Sequence, residues 1–252
     1  CMGIAASDFD ENGRLDLHVT NFENEWNNHF MQDAGGFFED FVVAYGLEQA
    51  TYKTLGFGVQ ALDFDNNLSM DLVVGNGHVE DYSDQGRSFE MRTMLFANQG
   101  SQFVARPVSG DEDYWDSGHL SRGLATCDWN NDGRVDFVAT DLLQSFCLLE
   151  NRSETPYHWM QLRLVGVTSE RDAIGATLVA SVGERTITKV VQTGDGYMCK
   201  NQSRICLGLG EHDKVDRLEV RWPDGETQVF DDLGADRRWL LVQSDSSPFT
   251  LN

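Results

Sequence analysis

Residues 8–16 read DFDENGRLD, and the same pattern recurs as DFDNNLSMD at residues 63–71 and as DWNNDGRVD at residues 128–136. Each stretch has oxygen-bearing side chains at positions one, three, five and nine, and a curled loop adds the backbone carbonyl of position seven. Such all-oxygen sets suit hard cations, and Ca²⁺ accepts about six to eight oxygens at flexible geometry. The pattern therefore predicts two to three Ca²⁺ sites. The predicted ligand positions are Asp8, Asp10, Asn12, Arg14 and Asp16, then Asp63, Asp65, Asn67, Ser69 and Asp71, then Asp128, Asn130, Asp132, Arg134 and Asp136, with Arg14, Ser69 and Arg134 acting through their carbonyls.

Position six distinguishes the second loop from the other two. Gly13 and Gly133 occupy it in the first and third loops, where a tight turn needs a positive φ. Leu68 occupies it in the second loop, and a left-handed non-glycine residue costs about 1 kcal/mol. We therefore expect the second site to be the weakest of the three.

Two other interpretations compete with this one. An EF-hand requires a Glu at position twelve followed by a helix, but position twelve is Val19, Val74 and Ala139, within β-branched and apolar runs that predict strands. Hairpin turns rich in Asp, Asn and Gly also recur without any metal, because these residues favour turns. The pattern thus favours a strand, a cation loop and a second strand in each repeat, with ordinary turns as the alternative.

The repeats predict the architecture as well. The loops begin at Asp8, Asp63 and Asp128, far enough apart to give each a four-stranded blade. Further strands are predicted at residues 36–38, 95–98, 102–104 and 146–151. The fold class predicted is all-β, with about three blades of a partial β-propeller.

The first part of the chain resembles a known family. Its words GIAASDFD at residues 3–10, GFG at residues 56–58 and NGH at residues 76–78 resemble the FG-GAP, or VCBS, repeats of integrin-like β-propellers, over residues 1–152. The resemblance implies Ca²⁺ binding by the loop carboxylates.

A second resemblance covers residues 153–245. The series includes GVTSERDAIGA at residues 166–176, GDGY at residues 194–197, LGLG at residues 207–210 and VRWPDG at residues 220–225. It is similar to the ASPIC/UnbV domain, although Cys199 and Cys206 depart from the usual pattern of that family. Alternating segments such as residues 159–164 and 217–222 predict a small β-sandwich-like domain there, and residues 246–252 are expected to be a loosely held tail.

Three blades are fewer than the four to eight or so of a closed propeller, and an arc of three would expose strand edges. The chain also begins at Cys1, directly before a predicted strand. We therefore expect a C-terminal piece of a longer protein.

Charge and hydropathy limit the possible partners. The net charge of −22 disfavours nucleic acid, which needs a basic surface, and no apolar stretch approaches the length for membrane insertion. Exposed modules of this kind need the high Ca²⁺ found outside cells. We expect an extracellular, cell-surface or periplasmic protein. A local disulfide between Cys199 and Cys206 is one alternative for these thiols, while Cys127 and Cys147 are expected to be buried thiols.

Known catalytic motifs are missing from the sequence. The six histidines form no His-Glu-x-x-His pair, and no Gly-x-Ser-x-Gly or Cys-x-x-Cys occurs. We predict a non-enzymatic module for adhesion or partner binding, with structural Ca²⁺ and an unknown protein or glycan ligand. The alternative is a fragment of a Ca²⁺-dependent polysaccharide lyase or hydrolase, with His78 beside Glu80 and Asp81 as the candidate cluster. Exposed aromatic residues for stacking on a ligand are a further possibility, at Tyr82, Tyr114, Trp115 and His119.

Overall fold

The computed structural model describes residues 1–108 and 112–251, and over these ranges the fold is all-β with five sheets in a propeller-like arrangement. The predicted fold class is confirmed at this level. Helical structure is confined to short pieces, namely α1 (Glu48–Thr51), α2 (Glu112–Trp115) and a 3-10 turn at Ser83–Gln85. No helix among the described residues has the length and apolar character needed to cross a bilayer.

The first three sheets are antiparallel meanders, each with one acidic loop between its first two strands. The first sheet contains β1 (Ile4–Ser7), β2 (Asp16–Val19), β3 (Asn28–Gln32) and β4 (Phe38–Asp40). The second contains β5 (Gly56–Leu62), β6 (Asp71–Asn76), β7 (Met94–Asn98) and β8 (Phe103–Ala105). The third has the order β11-β10-β9, from β9 (Ser121–Cys127), β10 (Asp136–Asp141) and β11 (Cys147–Leu149).

The first strands of these sheets, β1, β5 and β9, lie side by side. Glycine permits this close approach, because a Cβ on Gly58 would lie 2.6 Å from the carbonyl oxygen of Arg122 in β9. Apolar side chains between the sheets form two buried clusters, one centred on Phe9, Phe96 and Phe103 and the other including Leu124. Each acidic loop therefore follows a first strand that is tightly packed against its neighbours.

The remaining two sheets lie in the C-terminal part of the chain. One contains β12 (His158–Val165), β15 (Ile205–Gly210), β18 (Arg237–Val242) and β19 (Phe249–Leu251), and the other contains β13 (Thr177–Val182), β14 (Arg185–Val190), β16 (Lys214–Arg221) and β17 (Thr227–Gly234). Alternate apolar residues of both sheets share one hydrophobic core, for example Leu162, Leu178, Leu209 and Leu218. We call these two sheets the C-terminal domain.

The connection between β14 and β15 reaches back to the first three sheets. Gly196 exchanges two backbone hydrogen bonds with Ile4 of β1, at 3.2 and 2.6 Å. The Asn201 side chain accepts a hydrogen bond from the backbone of Thr126 in β9 at 2.9 Å and donates one to Gln60 of β5 at 2.7 Å. This segment thus touches the first strand of every acidic-loop sheet.

One expectation about this region is wrong, and one alternative that the sequence left open is decided. The tail is not wholly loose, because Phe249–Leu251 pairs with β18, which supplies its backbone with hydrogen-bond partners. Cys199 and Cys206 are free thiols in different surroundings. The Cys199 sulfur lies 2.8 Å from the Leu124 carbonyl oxygen, whereas Cys206 packs against the core of the third sheet, where burial raises the pKa of its thiol to about 12.

Candidate metal centres

The carboxylate at position one organises the backbone of each acidic loop. In the first loop, the two oxygens of Asp8 accept hydrogen bonds from the backbone N–H groups of Asn12 and Gly13, at 3.0 and 2.9 Å. Asp63 and Asp128 receive the equivalent bonds in the second and third loops. The three loops therefore share one backbone design.

Positions four and six take the left-handed conformation in all three loops. At position four, Glu11, Asn66 and Asn131 have φ values of 61°, 62° and 62°. At position six the values are positive as well, and Leu68 has a φ of 78°. The predicted strain at this leucine is thus confirmed as backbone geometry.

The carboxylate at position nine ties each loop to the third strand of its sheet or to the residues that follow it. Asp16 is fully buried and accepts hydrogen bonds from the backbone of Phe9 at 3.0 Å and of Gln32 at 2.8 Å. Asp71 accepts from the backbone of Phe64 and Asn98 in the same way. This anchoring directs the position-nine carboxylate toward the loop interior.

Two of the loops bring three carboxylates together. Ligand oxygens of Asp8, Asp10 and Asp16 all lie within 4.8 Å of one another, and so do those of the second loop at positions one, three and nine. These are the two carboxylate triads found among the described residues. The second loop, expected to be the weakest, thus also brings its three carboxylates within 4.8 Å of one another.

The third loop differs because its position three is Asn130, an amide. Asn130 donates a hydrogen bond to Asp132 at 2.9 Å, and the Arg134 guanidinium also pairs with Asp132. Gln161 of β12 donates a hydrogen bond to Asp128. Part of the oxygen set of the third loop is therefore engaged by neighbouring donors.

The side chains at position seven act as hydrogen-bond partners of neighbouring groups and not as ligands. Arg14 Nε donates to the carbonyl of Gln32 at 2.9 Å, and Arg134 Nε donates to the carbonyl of Asn151 at 2.9 Å. Ser69 Oγ lies 3.2 Å from a guanidinium nitrogen of Arg185. This arrangement agrees with a ligand role for the backbone carbonyl alone.

Electrostatics distinguish the second loop most clearly. Burial, together with the neighbouring Asp65 charge, raises the pKa of Asp63 to about 7, and burial raises the pKa of Asp71 to about 8. Burial likewise raises the pKa of Asp8 to about 6. Buried carboxylates close to one another favour the protonated form, and the nearby Lys189 charge opposes this shift only in part at Asp63. Turn hydrogen bonds account for the backbone shape, but among the described residues none donates to the buried Asp65 Oδ1. A cation fits this donor set.

His78 lies in a buried cluster away from the acidic loops. Its Nδ1 accepts a hydrogen bond from the backbone of Glu80 at 3.1 Å, and its Nε2 lies 3.9 Å from Glu23 Oε2. The Glu80 carboxylate instead accepts a hydrogen bond from the Tyr82 hydroxyl, and the Asp81 carboxylate accepts one from the Ser83 hydroxyl. The sequence therefore missed Glu23 as the carboxylate facing the imidazole. His78 is only 1 % exposed, which does not suit a general base for a large substrate.

The aromatic residues expected on an exposed loop are mostly packed. Tyr114 is buried and stacks on His119 with ring centroids 4.3 Å apart, and Trp115 packs edge-on against Phe137. The expected stacking surface is therefore wrong for Tyr114 and His119. Residues 109–111, which belong to the same predicted insertion, lie outside the described residues.

The fold and the loops define a class: an all-β protein with repeated acidic hairpin loops and a C-terminal β domain. Residues 166–248 match the family model described as "ASPIC and UnbV", so the C-terminal domain is an ASPIC/UnbV domain.

The chain is similar to cartilage acidic protein 1. The Xenopus tropicalis and Mus musculus proteins are each 24 % identical over 231 residues, which cover 89 % of this chain and 34 % of the relative. The Homo sapiens protein is 23 % identical over 231 residues, which cover 89 % of this chain and 33 % of the relative. The chain spans about a third of the length of these relatives. Their name describes an acidic protein and states no reaction.

Proposed function

We propose that this chain is a calcium-stabilised, extracytoplasmic module for adhesion or partner binding. The observation that carries the proposal is the pair of carboxylate triads, with the buried and unsatisfied Asp65 Oδ1 in the second. The first three sheets act as propeller blades, and the C-terminal domain is a small sandwich packed against them. Ca²⁺ bound in the loops would neutralise carboxylates that otherwise repel one another.

Charge supports a particular kind of partner. The net charge of −22 exceeds what two or three Ca²⁺ would neutralise. The surface therefore attracts basic protein segments and repels nucleic acid and anionic lipid. The acidic character agrees with the name of the relatives, and Ca²⁺ loops of this kind fill at extracellular rather than cytosolic Ca²⁺.

Calorimetric titration with Ca²⁺, paired with thermal melts, tests the metal sites. A ligand that binds only the folded state at 100 times its Kd stabilises by about 2.7 kcal/mol, so Ca²⁺ should raise Tm and chelator should lower it. Asp65→Asn removes one charge at the unsatisfied oxygen and should lose one site. Asp84→Asn changes an exposed aspartate outside the loops and should leave binding unchanged. Absence of binding heat and of a Tm shift would reject the proposal.

Turnover assays address the alternative of a polysaccharide lyase or hydrolase. We expect the whole protein to bind partners without turnover, because the described His78 is buried and faces Glu23. Glycan cleavage that is abolished by His78→Ala would establish the enzyme instead.

A further inference from the structure

Position four of each acidic loop contacts the C-terminal domain. In the first loop, Arg185 Nε donates to the Glu11 carboxylate at 2.9 Å. In the second loop, the backbone N–H of Gly210 donates to the carbonyl of Asn66 at 2.9 Å. In the third loop, Asn131 Oδ1 accepts from two guanidinium groups. These belong to Arg204, at 2.6 Å, and Arg238, at 2.8 Å.

Position six of each loop faces the same domain. Leu68 is 9 % exposed and belongs to the hydrophobic core of the C-terminal domain. The indole of Trp159 lies so close to Gly133 that a Cβ there would overlap the ring. A Cβ on Gly13 would lie 3.9 Å from Thr188 Oγ1. Positions four and six of all three loops therefore form one surface.

Docking residues and predicted ligands are largely separate. Arg185 also donates to the carbonyls of Asn67 and Leu68, and Arg204 donates to the carbonyl of Asp128, so these contacts use backbone oxygens. The exception is Gln161, whose side-chain amide donates a hydrogen bond to one carboxylate oxygen of Asp128, a predicted ligand. In the first two loops, the hydrogen bonds to the triad carboxylates come from the loop and its own sheet, and the C-terminal domain adds only the charge of Lys189 near Asp63.

We propose that the three acidic loops are the docking surface for the C-terminal domain, and that Ca²⁺ in the loops holds this surface in its docking shape. The inference rests on the proposed Ca²⁺ sites. Position four lies between ligand positions three and five in a left-handed conformation, so a cation bound by its neighbours fixes its direction. Linkage requires the reciprocal effect, in which a docked domain tightens Ca²⁺ binding.

Repulsion between the bound Ca²⁺ and nearby arginine side chains would affect docking in the opposite direction. Arg185, Arg204 and Arg238 all approach the loops, and their charges alone would make Ca²⁺ loosen the domain. If Ca²⁺ acts by ordering the loops, it instead strengthens the docking of the C-terminal domain. The direction of the response therefore separates the two mechanisms.

The amide of Gly210 reports on docking directly, because its hydrogen bond crosses to the second loop. We expect Ca²⁺ to slow hydrogen exchange at this amide about tenfold or more in the full chain, measured by NMR. Amides of β13 and β16, which pair within the C-terminal domain, should change little. That contrast distinguishes undocking from unfolding.

A neutral variant tests the reciprocal effect. Asn131→Gly removes the acceptor of Arg204 and Arg238, keeps the left-handed backbone accessible and changes no charge. We expect Ca²⁺ affinity to fall about fivefold or more and Gly210 exchange to accelerate. Asn24→Gly is the matched control, since Asn24 is exposed, has a φ of 68° and accepts a hydrogen bond outside the loops.

The outcomes separate the two proposals. Absence of Ca²⁺ binding in calorimetry would reject the proposed function and, with it, the coupling. Ca²⁺ binding with unchanged or faster Gly210 exchange would overturn the docking inference alone. Equal effects of Asn131→Gly and Asn24→Gly would likewise overturn it.

Discussion

Leu68 combines an unfavourable backbone with a favourable side-chain environment. Its φ of 78° costs about 1 kcal/mol, whereas burial of a leucine side chain contributes about 1.5–3 kcal/mol. The side chain belongs to the core of the C-terminal domain although it comes from an acidic loop. This contact explains why the second loop carries leucine where the other two carry glycine.

Two substitutions at Leu68 separate the cost of backbone strain from the gain of side-chain burial. Leu68→Ala loses burial and keeps the strain, so we expect it to lower the free energy of unfolding by about 2–4 kcal/mol. Leu68→Gly loses the same burial but relieves the strain, so it should be about 1 kcal/mol more stable than the alanine variant. Urea unfolding in Ca²⁺ measures both, and an alanine variant equal to or more stable than the glycine variant would contradict this account.

A buried histidine pair gives the first sheet a pH dependence. Nδ1 of His18 and Nδ1 of His29 lie 3.4 Å apart, and both side chains are fully buried. Burial and the neighbouring His29 charge hold the pKa of His18 well below its usual value, and burial lowers the pKa of His29 to about 4. Both histidines are therefore neutral in the folded protein at pH 7.

The unfolded chain binds protons at these histidines below about pH 6.5, whereas folded His29 does so only near pH 4. Their contribution to stability is thus complete above pH 6.5 and is lost as the pH falls toward 4, by about 3 kcal/mol for His29. We expect the stability difference between the natural protein and His29→Phe to shrink over this range. Urea titrations at fixed pH, with Ca²⁺ saturating, measure it, and a constant difference would show that His29 is not the cause.

At the scale of elements, glycine controls the spacing of β1, β5 and β9. A Cβ on Gly58 would lie 2.6 Å from the Arg122 carbonyl and 2.8 Å from Leu124, so Gly58→Ala should destabilise by about 1–3 kcal/mol through overpacking. Gly194→Ala is the control, because nothing lies within 4 Å of its Cβ position. Thermal melts of the two variants that coincide would contradict this explanation.

The sequence predicted those elements whose pattern is local. The strand after each acidic loop follows from an apolar run, and β2, β6 and β10 lie there. By contrast, β3 (Asn28–Gln32) is too polar to predict, and β19 exists only because β18 offers a free edge to the tail. Ligand positions followed from spacing in the same way. Position four is polar in all three loops, but its role depends on residues far away in the sequence, namely Arg185, Gly210, Arg204 and Arg238.

At the scale of the whole molecule, the acidic loops and the C-terminal domain share both polar and apolar contacts. Arginine side chains bind the outer face of the loops, Leu68 enters the C-terminal core, and the segment before β15 reaches β1, β5 and β9. Domains joined by a large and partly apolar interface tend to unfold together, and loss of the interface separates their transitions.

Scanning calorimetry of the full chain should therefore show one transition in saturating Ca²⁺ and two in chelator. The chelator-sensitive transition at lower temperature belongs to the acidic-loop sheets, because their carboxylates lose the countercharge. The other belongs to the C-terminal domain, whose own core needs no metal. Leu68→Ala should separate the transitions even in Ca²⁺, since it removes the apolar part of the contact, whereas Arg221→Ala, whose guanidinium pairs with Glu219 within β16, should not. Two transitions for the natural protein in saturating Ca²⁺ would mean that the domains unfold independently and that the loops do not couple them.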